Sequence, residues 1–245
     1  TEEGKLIRKA FVPEYDYLIS FDYSQIELRV LAHLANVTSL IDAFNHDKDI
    51  HRHTASVVFG VSEEEVTSTM RRNAKAVNFG IIYGMSDYGL AEQLGVTVKE
   101  AKSFIEKYFE KYAEIKDYMN KSIAFGKENG YVSTVLNRKR YIPEINEKNY
   151  MRQEFGKRLA MNSPIQGSAA DIIKLAMIKV DQLLKENHMK SKMILQVHDE
   201  LIFDVYEDEL EQMMKLVQTG MESAYQMTVE LKAEGTYAKN WYELK

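Results

Sequence analysis

Two apolar runs near the carboxyl end, MILQV (Met193–Val197) and ELIFDV (Glu200–Val205), are separated by His198 and Asp199 alone. Short apolar runs joined this closely fold back on each other as an antiparallel hairpin. His-Asp is a poor sequence for the type I′ turn such a loop favours, so the tip is a candidate for a functional role. A third run, YLISFD (Tyr17–Asp22), reads as a strand and gives way at once to helical spacing in QIELRVLAHLA. Ser24 and Glu27 form a capping-box signature at that switch, which leaves Asp22 closing a strand just before a helix begins.

Between the third run and the hairpin the periodicity is almost wholly helical from about Asn36 to Lys127, with expected helix starts at Ser62 (Glu65 following) and Thr97 (Glu100 following). YVSTVL (Tyr131–Leu136) predicts a short strand, followed by a basic turn and Pro143. A helix is expected to start near Glu147. After Pro164 another amphipathic stretch sets Ile165, Ala169, Ile172, Ala176, Val180 and Leu183 at helical intervals as far as about Asn187. A last helix over Asp208–Tyr225 and a strand over Thr228–Glu234 complete the pattern. There is no internal repeat and no low-complexity tract. The expected class is α+β: a mixed or antiparallel sheet with flanking helices, interrupted by a mainly helical insertion.

A chain of 245 residues buries a sizeable core and forms one or two units. Cysteine is absent, which removes disulfides and thiolate zinc sites and makes the reducing cytosol the natural compartment. No apolar run approaches the length of a membrane span. The formal net charge of -5 argues against a general nucleic-acid coat protein. Locally, however, basic residues outnumber acidic ones from Arg138 to Arg158, and a second basic cluster is formed by Arg71, Arg72 and Lys75. Two basic zones on an acidic body suit a phosphate-bearing ligand, although solvated helix faces are the more ordinary reading of such charge.

If the hairpin pairs beside the early strand, Asp22 and Asp199 meet at one sheet edge. Two carboxylates there suit magnesium, and two such ions roughly 4 Å apart stabilise the attacking and leaving oxygens of an in-line phosphoryl displacement. Turn-forming aspartates explain the same residues without metal. In RRNAKAVNFGIIYG (Arg71–Gly84), Arg71, Lys75, Phe79 and Tyr83 recur at intervals of four along one helical face. Such a face offers two cations for a triphosphate and an aromatic surface for a base or sugar. A solvated basic edge over a core aromatic pair is the alternative. His33, His46, His53 and His188 form no metal-ligand spacing and are read as structural or surface residues.

Taken together, DYSQIELRVLAHL (Asp22–Leu34), RRNAKAVNFGIIYG and QVHDELIFDV (Gln196–Val205) resemble, in this order, motifs A, B and C of the bacterial DNA polymerase I family, family A. NSPIQGSAADIIKLAM (Asn162–Met177), DIHR (Asp49–Arg52) and the closing NWYELK extend the resemblance over essentially the whole chain. The resemblance implies a template-directed DNA polymerase with a palm from 1–40 and 151–245 and helical fingers from 41–150. It implies two Mg2+ ions, replaceable by Mn2+, held by Asp22, Asp199 and the Tyr23 carbonyl, with Glu200 as a supporting carboxylate. Arg71, Lys75 and His51 would bind the triphosphate, with Lys75 a candidate proton donor to pyrophosphate. Phe79, Tyr83 and Gln25 would contact the incoming deoxynucleotide, and Glu27 would gate against a ribose 2′-hydroxyl. Phe79 in place of tyrosine would discriminate against dideoxynucleotides. His198, Arg158, Asn162 and Gln166 would touch primer-template DNA. A monomer in the bacterial cytosol, associated with the nucleoid, is the implied setting.

Two positions depart from the family pattern: Asn137 stands where glycine usually precedes the basic turn, and Lys157 where glutamate commonly precedes the matched Arg158. The chain also starts where the family is well into its palm, so a fragment lacking the thumb and any exonuclease domain, with weak DNA affinity, is expected. A two-metal nuclease and a non-catalytic DNA-end binding module are the competing functions; the nuclease has no need of the Arg71, Lys75, Phe79 face, and magnesium-dependent primer extension separates the binding module.

Overall fold

A computed structural model describes residues 2–244 and resolves the helices and strands in chain order. A short helix α1 (Glu2–Leu6) precedes strand β1 (Tyr17–Tyr23). Six helices follow: α2 (Ile26–Ala35), α3 (Thr38–Asn45), α4 (Ile50–Phe59), α5 (Ser68–Ile82), α6 (Asp87–Leu94) and α7 (Val98–Lys111). Then come α8 (Ala113–Asn129), the short strands β2 (Tyr131–Ser133) and β3 (Lys139–Tyr141), and the long helix α9 (Tyr150–Glu186). The hairpin strands β4 (Lys192–Val197) and β5 (Glu200–Val205), helix α10 (Leu210–Glu222) and strand β6 (Ala233–Ala238) close the chain.

The class is α+β, and the principal sheet has the order β4-β5-β1-β6 with every neighbour antiparallel. Residues 1–26 and 169–245 form one unit and residues 27–168 the other. In the sheet unit, β5 is buried along its whole length, and Leu18, Ile19 and Phe21 of β1 are inaccessible. Met213, Val217 and Met221 bury the apolar face of α10, and Ile172, Ala176 and Val180 do the same for α9. Each of these side chains larger than alanine contributes about 2 kcal/mol on leaving water. Gly235 lies opposite Phe21 in the β1–β6 register, and a β-carbon there would come within 2.3 Å of the buried ring. Only a residue without a side chain lets the two strands pair over that phenylalanine.

Helical periodicity governs the other unit. Thr97 caps α7 through a reciprocal capping box with Glu100, as its sequence signature predicts. Asp49 caps α4 by accepting from the His51 and Arg52 amides. Ser62 does not start a helix: Glu65 accepts from the Ser62 amide within a turn, and Thr67 instead caps α5 by accepting from the Met70 amide. The same local hydrogen bond serves turns and caps alike, so the signature is ambiguous where another cap lies a few residues on.

Four other boundaries differ from expectation. The strand over Tyr131–Leu136 stops at Ser133, and the basic segment after it is itself a strand, β3, paired with β2. Asn137 makes this turn with φ 60°, a left-handed conformation that asparagine tolerates nearly as glycine does. Residues 150–186 are one helix rather than two, with Pro164 inside it. Proline's φ is already helical, so the loss is confined to one hydrogen bond and local crowding, while burial of Ala160, Ile165 and Ile172 on either side keeps the helix continuous. Ser168 Oγ donates back to the Pro164 carbonyl at 2.5 Å. A 3-10 turn over Glu207–Glu209 precedes α10, which ends at Glu222. The last strand is Ala233–Ala238 instead of Thr228–Glu234, because register with β1 decides which residues pair.

Candidate active site

The carboxylate edge is built by strand register. Asp22 pairs directly with Glu200, and the Tyr23 amide donates to the Asp199 carbonyl at 3.2 Å. These bonds bring Asp22, at the end of β1, and Asp199, at the hairpin tip, to one edge of the sheet. Both are half-buried. The tip itself carries a backbone constraint, because His198 adopts φ 56° and its carbonyl accepts from Gln196 Nε2 at 2.8 Å. Glu200 is 1% exposed and accepts from Ser20 Oγ at 2.5 Å, so Ser20, absent from the sequence-based list, orients that carboxylate. Tyr23 turns its hydroxyl to the Met221 carbonyl at 2.6 Å, and burial together with Glu222 raises its pKa. At the strand-helix junction Gln25 takes φ 54°, and its Oε1 is buried without a hydrogen-bond partner among the described residues.

Among the described residues no three His, Asp or Glu side chains gather in metal-ligating geometry. The edge instead offers the two carboxylates of Asp22 and Asp199. That donor set fits a hard divalent cation such as Mg2+, which binds through one or two carboxylates and completes its octahedron with water and phosphate oxygens.

The second group lies on α4 and α5 in the helical unit. Arg71, Lys75 and Tyr83 are exposed and Phe79 is half-buried, while Ala74, Val77, Asn78, Ile81 and Ile82 line the opposite, buried side of α5. The stripe at intervals of four therefore faces outward. Phe79 and Tyr83 stack with 21° between their planes, and the His51 ring lies 6.1 Å from Phe79. Asp49 does more than cap α4: its other oxygen accepts from Arg71 Nε at 2.6 Å, which fixes the guanidinium. Burial pulls the Asp49 carboxyl upward, but the Arg71 and Arg52 hydrogen bonds and the neighbouring cations outweigh it and hold the pKa below the usual range. His51 is 4% exposed. Burial and the Arg71 charge, with a smaller push from Lys75, outweigh the opposing pull of Asp49 and lower its pKa to about 4, so the ring is neutral near pH 7.

Glu27 accepts from the Tyr83 hydroxyl at 2.8 Å. On α9, Arg158, Asn162 and Gln166 recur at intervals of four, with Arg158 packed over Phe155 and Asn162 Oδ1 buried without a partner among the described residues. Gly84 has φ 63°, and a β-carbon there would press on Met161 and Arg158. Like Ser20, Asp49 and Asn78 are residues that sequence reasoning passed over. Asp49 lies inside the DIHR segment, and its position as a helix cap was the available signal; Asn78 carried none beyond being polar on an apolar face.

An α+β unit with paired acids at a sheet edge, and a helical unit with an outward row of cations and aromatics, define the class to which comparison with known proteins gives a family. The profile of DNA polymerase family A matches residues 1–243. DNA polymerase I of Lactococcus lactis subsp. cremoris is 54% identical over 246 aligned residues, and that of Bacillus subtilis is likewise 54% identical. Each alignment covers all of this chain and 28% of the relative, so the chain spans less than a third of the length of these curated proteins. The POL domain of Pol1 from M. smegmatis, solved in complex with DNA primer-template and dNTP, superposes with a TM-score of 0.94 at 45% identity. That match covers all of this chain and 43% of the solved one. The chain belongs to DNA polymerase family A. No helix among the described residues is long and apolar enough to cross a membrane.

Proposed function

We propose that the chain carries the nucleotidyl-transfer machinery of a template-directed DNA polymerase, joining deoxynucleotides to a primer 3′-hydroxyl. The observation that carries this reading is the β1–β5 register, which pairs Asp22 with Glu200 and ties Tyr23 to Asp199. In this reading the sheet unit is the core of the palm and the helical unit contains the fingers. Asp22, Asp199 and the Tyr23 carbonyl hold two Mg2+ ions, with Mn2+ a substitute, and Glu200 supports them. When bound, such ions lower the pKa of the primer hydroxyl and neutralise the charge gathering on the triphosphate.

The chain's own residues supply binding and orientation. Arg71 and Lys75 give charge-assisted hydrogen bonds to the triphosphate, and His51 adds a neutral donor. The primer oxygen bonds to the α-phosphorus as the bond to pyrophosphate breaks; the hydroxyl proton leaves to solvent and Lys75 protonates the departing pyrophosphate. Phe79 packs against the deoxyribose and base, Tyr83 and Gln25 border the nucleotide, and Glu27 excludes a 2′-hydroxyl. His198, Arg158, Asn162 and Gln166 contact primer-template DNA. The neighbour solved with primer-template and dNTP supports these partners. In this reading the protein works as a monomer in the bacterial cytosol.

Magnesium-dependent primer extension tests the reading. Incorporation directed by the template base is expected. Binding of primed DNA with no deoxynucleoside triphosphate binding, or DNA cleavage in place of extension, overturns it.

A further inference from the structure

Thr54, Asn78 and His51 form a polar cluster inside the otherwise apolar contact between α4 and α5. Thr54 is fully buried and Asn78 is 1% exposed. An apolar residue would fill the Asn78 position at no cost in desolvation, whereas a buried amide is stabilising only when its donors and acceptor are matched. Here they are matched in one direction. Thr54 Oγ donates to Asn78 Oδ1 at 3.1 Å, which turns the amide nitrogen toward His51 Nδ1 at 3.0 Å. An amide nitrogen donates and never accepts, so Nδ1 must present its lone pair and the ring proton must sit on Nε2. The neutral ring left by burial and by the Arg71 and Lys75 charges is compatible with this arrangement, since an imidazolium would set two N–H donors against each other.

We propose that Asn78 and Thr54 are positioning residues for His51: together they hold its imidazole as the Nε2–H tautomer, so that the ring offers one N–H to a triphosphate oxygen of a deoxynucleotide. The inference rests on the reading of His51 as a triphosphate contact. It means that in the ligand-free protein the donor is ready before the ligand arrives, which spares the reorganisation that a freely exchanging ring requires. Asn78 and Thr54 themselves touch no phosphate. Their effect is transmitted through the ring, as outer-shell partners of ligating histidines transmit theirs.

The test has a readout that does not depend on catalysis. In ligand-free protein labelled with 15N at histidine, the ring shifts of His51 are expected to report an unprotonated Nδ1 and a protonated Nε2. Asn78→Asp replaces the donor by a pure acceptor and is expected to reverse that pattern; an unreversed pattern in a folded variant, or a protonated Nδ1 in the parent, overturns the assignment. Calorimetric titration with a deoxynucleoside triphosphate then measures the consequence. Asn78→Asp is expected to weaken affinity about tenfold, the worth of one hydrogen bond to a charged group, with the thermal transition still cooperative. Unchanged affinity in the tautomer-reversed variant overturns the proposed role.

Thr54→Val and Thr54→Ser keep the proposal falsifiable if Asn78→Asp fails to fold. The serine variant retains the hydroxyl and should keep both the parental ring shifts and the parental affinity, while the isosteric valine should lose them; equal behaviour of the two overturns it. Failure of the polymerase reading is distinguishable, because a parent protein that binds no deoxynucleoside triphosphate still yields the tautomer pattern.

Discussion

The sheet edge and the α4–α5 face assemble polar groups by opposite means. Asp22 and Asp199 are far apart in sequence and reach one sheet edge because β1 and β5 pair in one register, fixed by burying Ile19, Phe21, Leu201 and Phe203. Arg71, Lys75, Phe79 and Tyr83 are near neighbours whose common direction follows from the pitch of a single helix. The first arrangement is nonlocal and tolerant of no slip, since moving a strand by one residue sends every side chain to the other face. The second is local, and its refinement comes from a few side-chain bonds: Asp49 to Arg71 and Asn78 to His51.

The largest expected effect concerns the acids. Asp199→Ala should reduce primer extension by about a thousandfold or more, because on the proposed reading several kcal/mol of charge stabilisation disappear with one cation ligand. Circular dichroism should show the fold unchanged; retained extension would mean the edge is turn chemistry alone. Next comes the packing that sets the register. Gly235→Ala drives a β-carbon into the Phe21 ring and should destabilise the sheet unit by about 3 kcal/mol, measured by denaturant unfolding. A neutral result would show that β6 does not constrain β1.

On the helical side, Arg71→Ala should raise the apparent KM for deoxynucleotide about thirtyfold with kcat little changed, the signature of lost uniform binding. A loss confined to kcat would move Arg71 from binding to the chemical step. Glu27→Ala should admit ribonucleotides by about tenfold more, seen in competition between matched sugars, at little cost in stability because its bond to Tyr83 is exposed. Unchanged sugar selectivity would leave Glu27 a purely structural role.

The smallest effect is the acid dependence of stability. His51 titrates near 4 when folded and near its ordinary 6.5 when unfolded, so the unfolded chain binds the extra proton between these values. Stability from this group is complete above 6.5 and falls as pH drops toward about 4. His51→Gln should therefore flatten the decline of Tm across that window, and a parallel decline in both proteins would remove the coupling between the buried ring and folding.

Much of this was legible in advance. The hairpin and the early strand follow from short apolar runs, the α5 stripe follows from an interval of four on one helix, and Thr97 with Glu100 caps a helix as its spacing predicts. Ser62 with Glu65 has the same spacing and forms only a turn, because a better-placed cap at Thr67 competes with it. Pro164 looked like a boundary and is not one, since packing on both sides outweighs one lost hydrogen bond.

Sequence alone determined which side chains carry charge, where the chain changes from strand to helix at Asp22, and that Arg71 and Lys75 share a face, because these depend on chemistry and on neighbours a few residues away. Only the tertiary structure decided that Asp22 pairs with Glu200, that β6 begins at Ala233, that Asp49 grips Arg71, and that Asn78 meets the ring of His51. Those contacts join residues separated by long stretches of chain. Their geometry is selected by the burial of many apolar side chains at once, a collective quantity that no local pattern encodes.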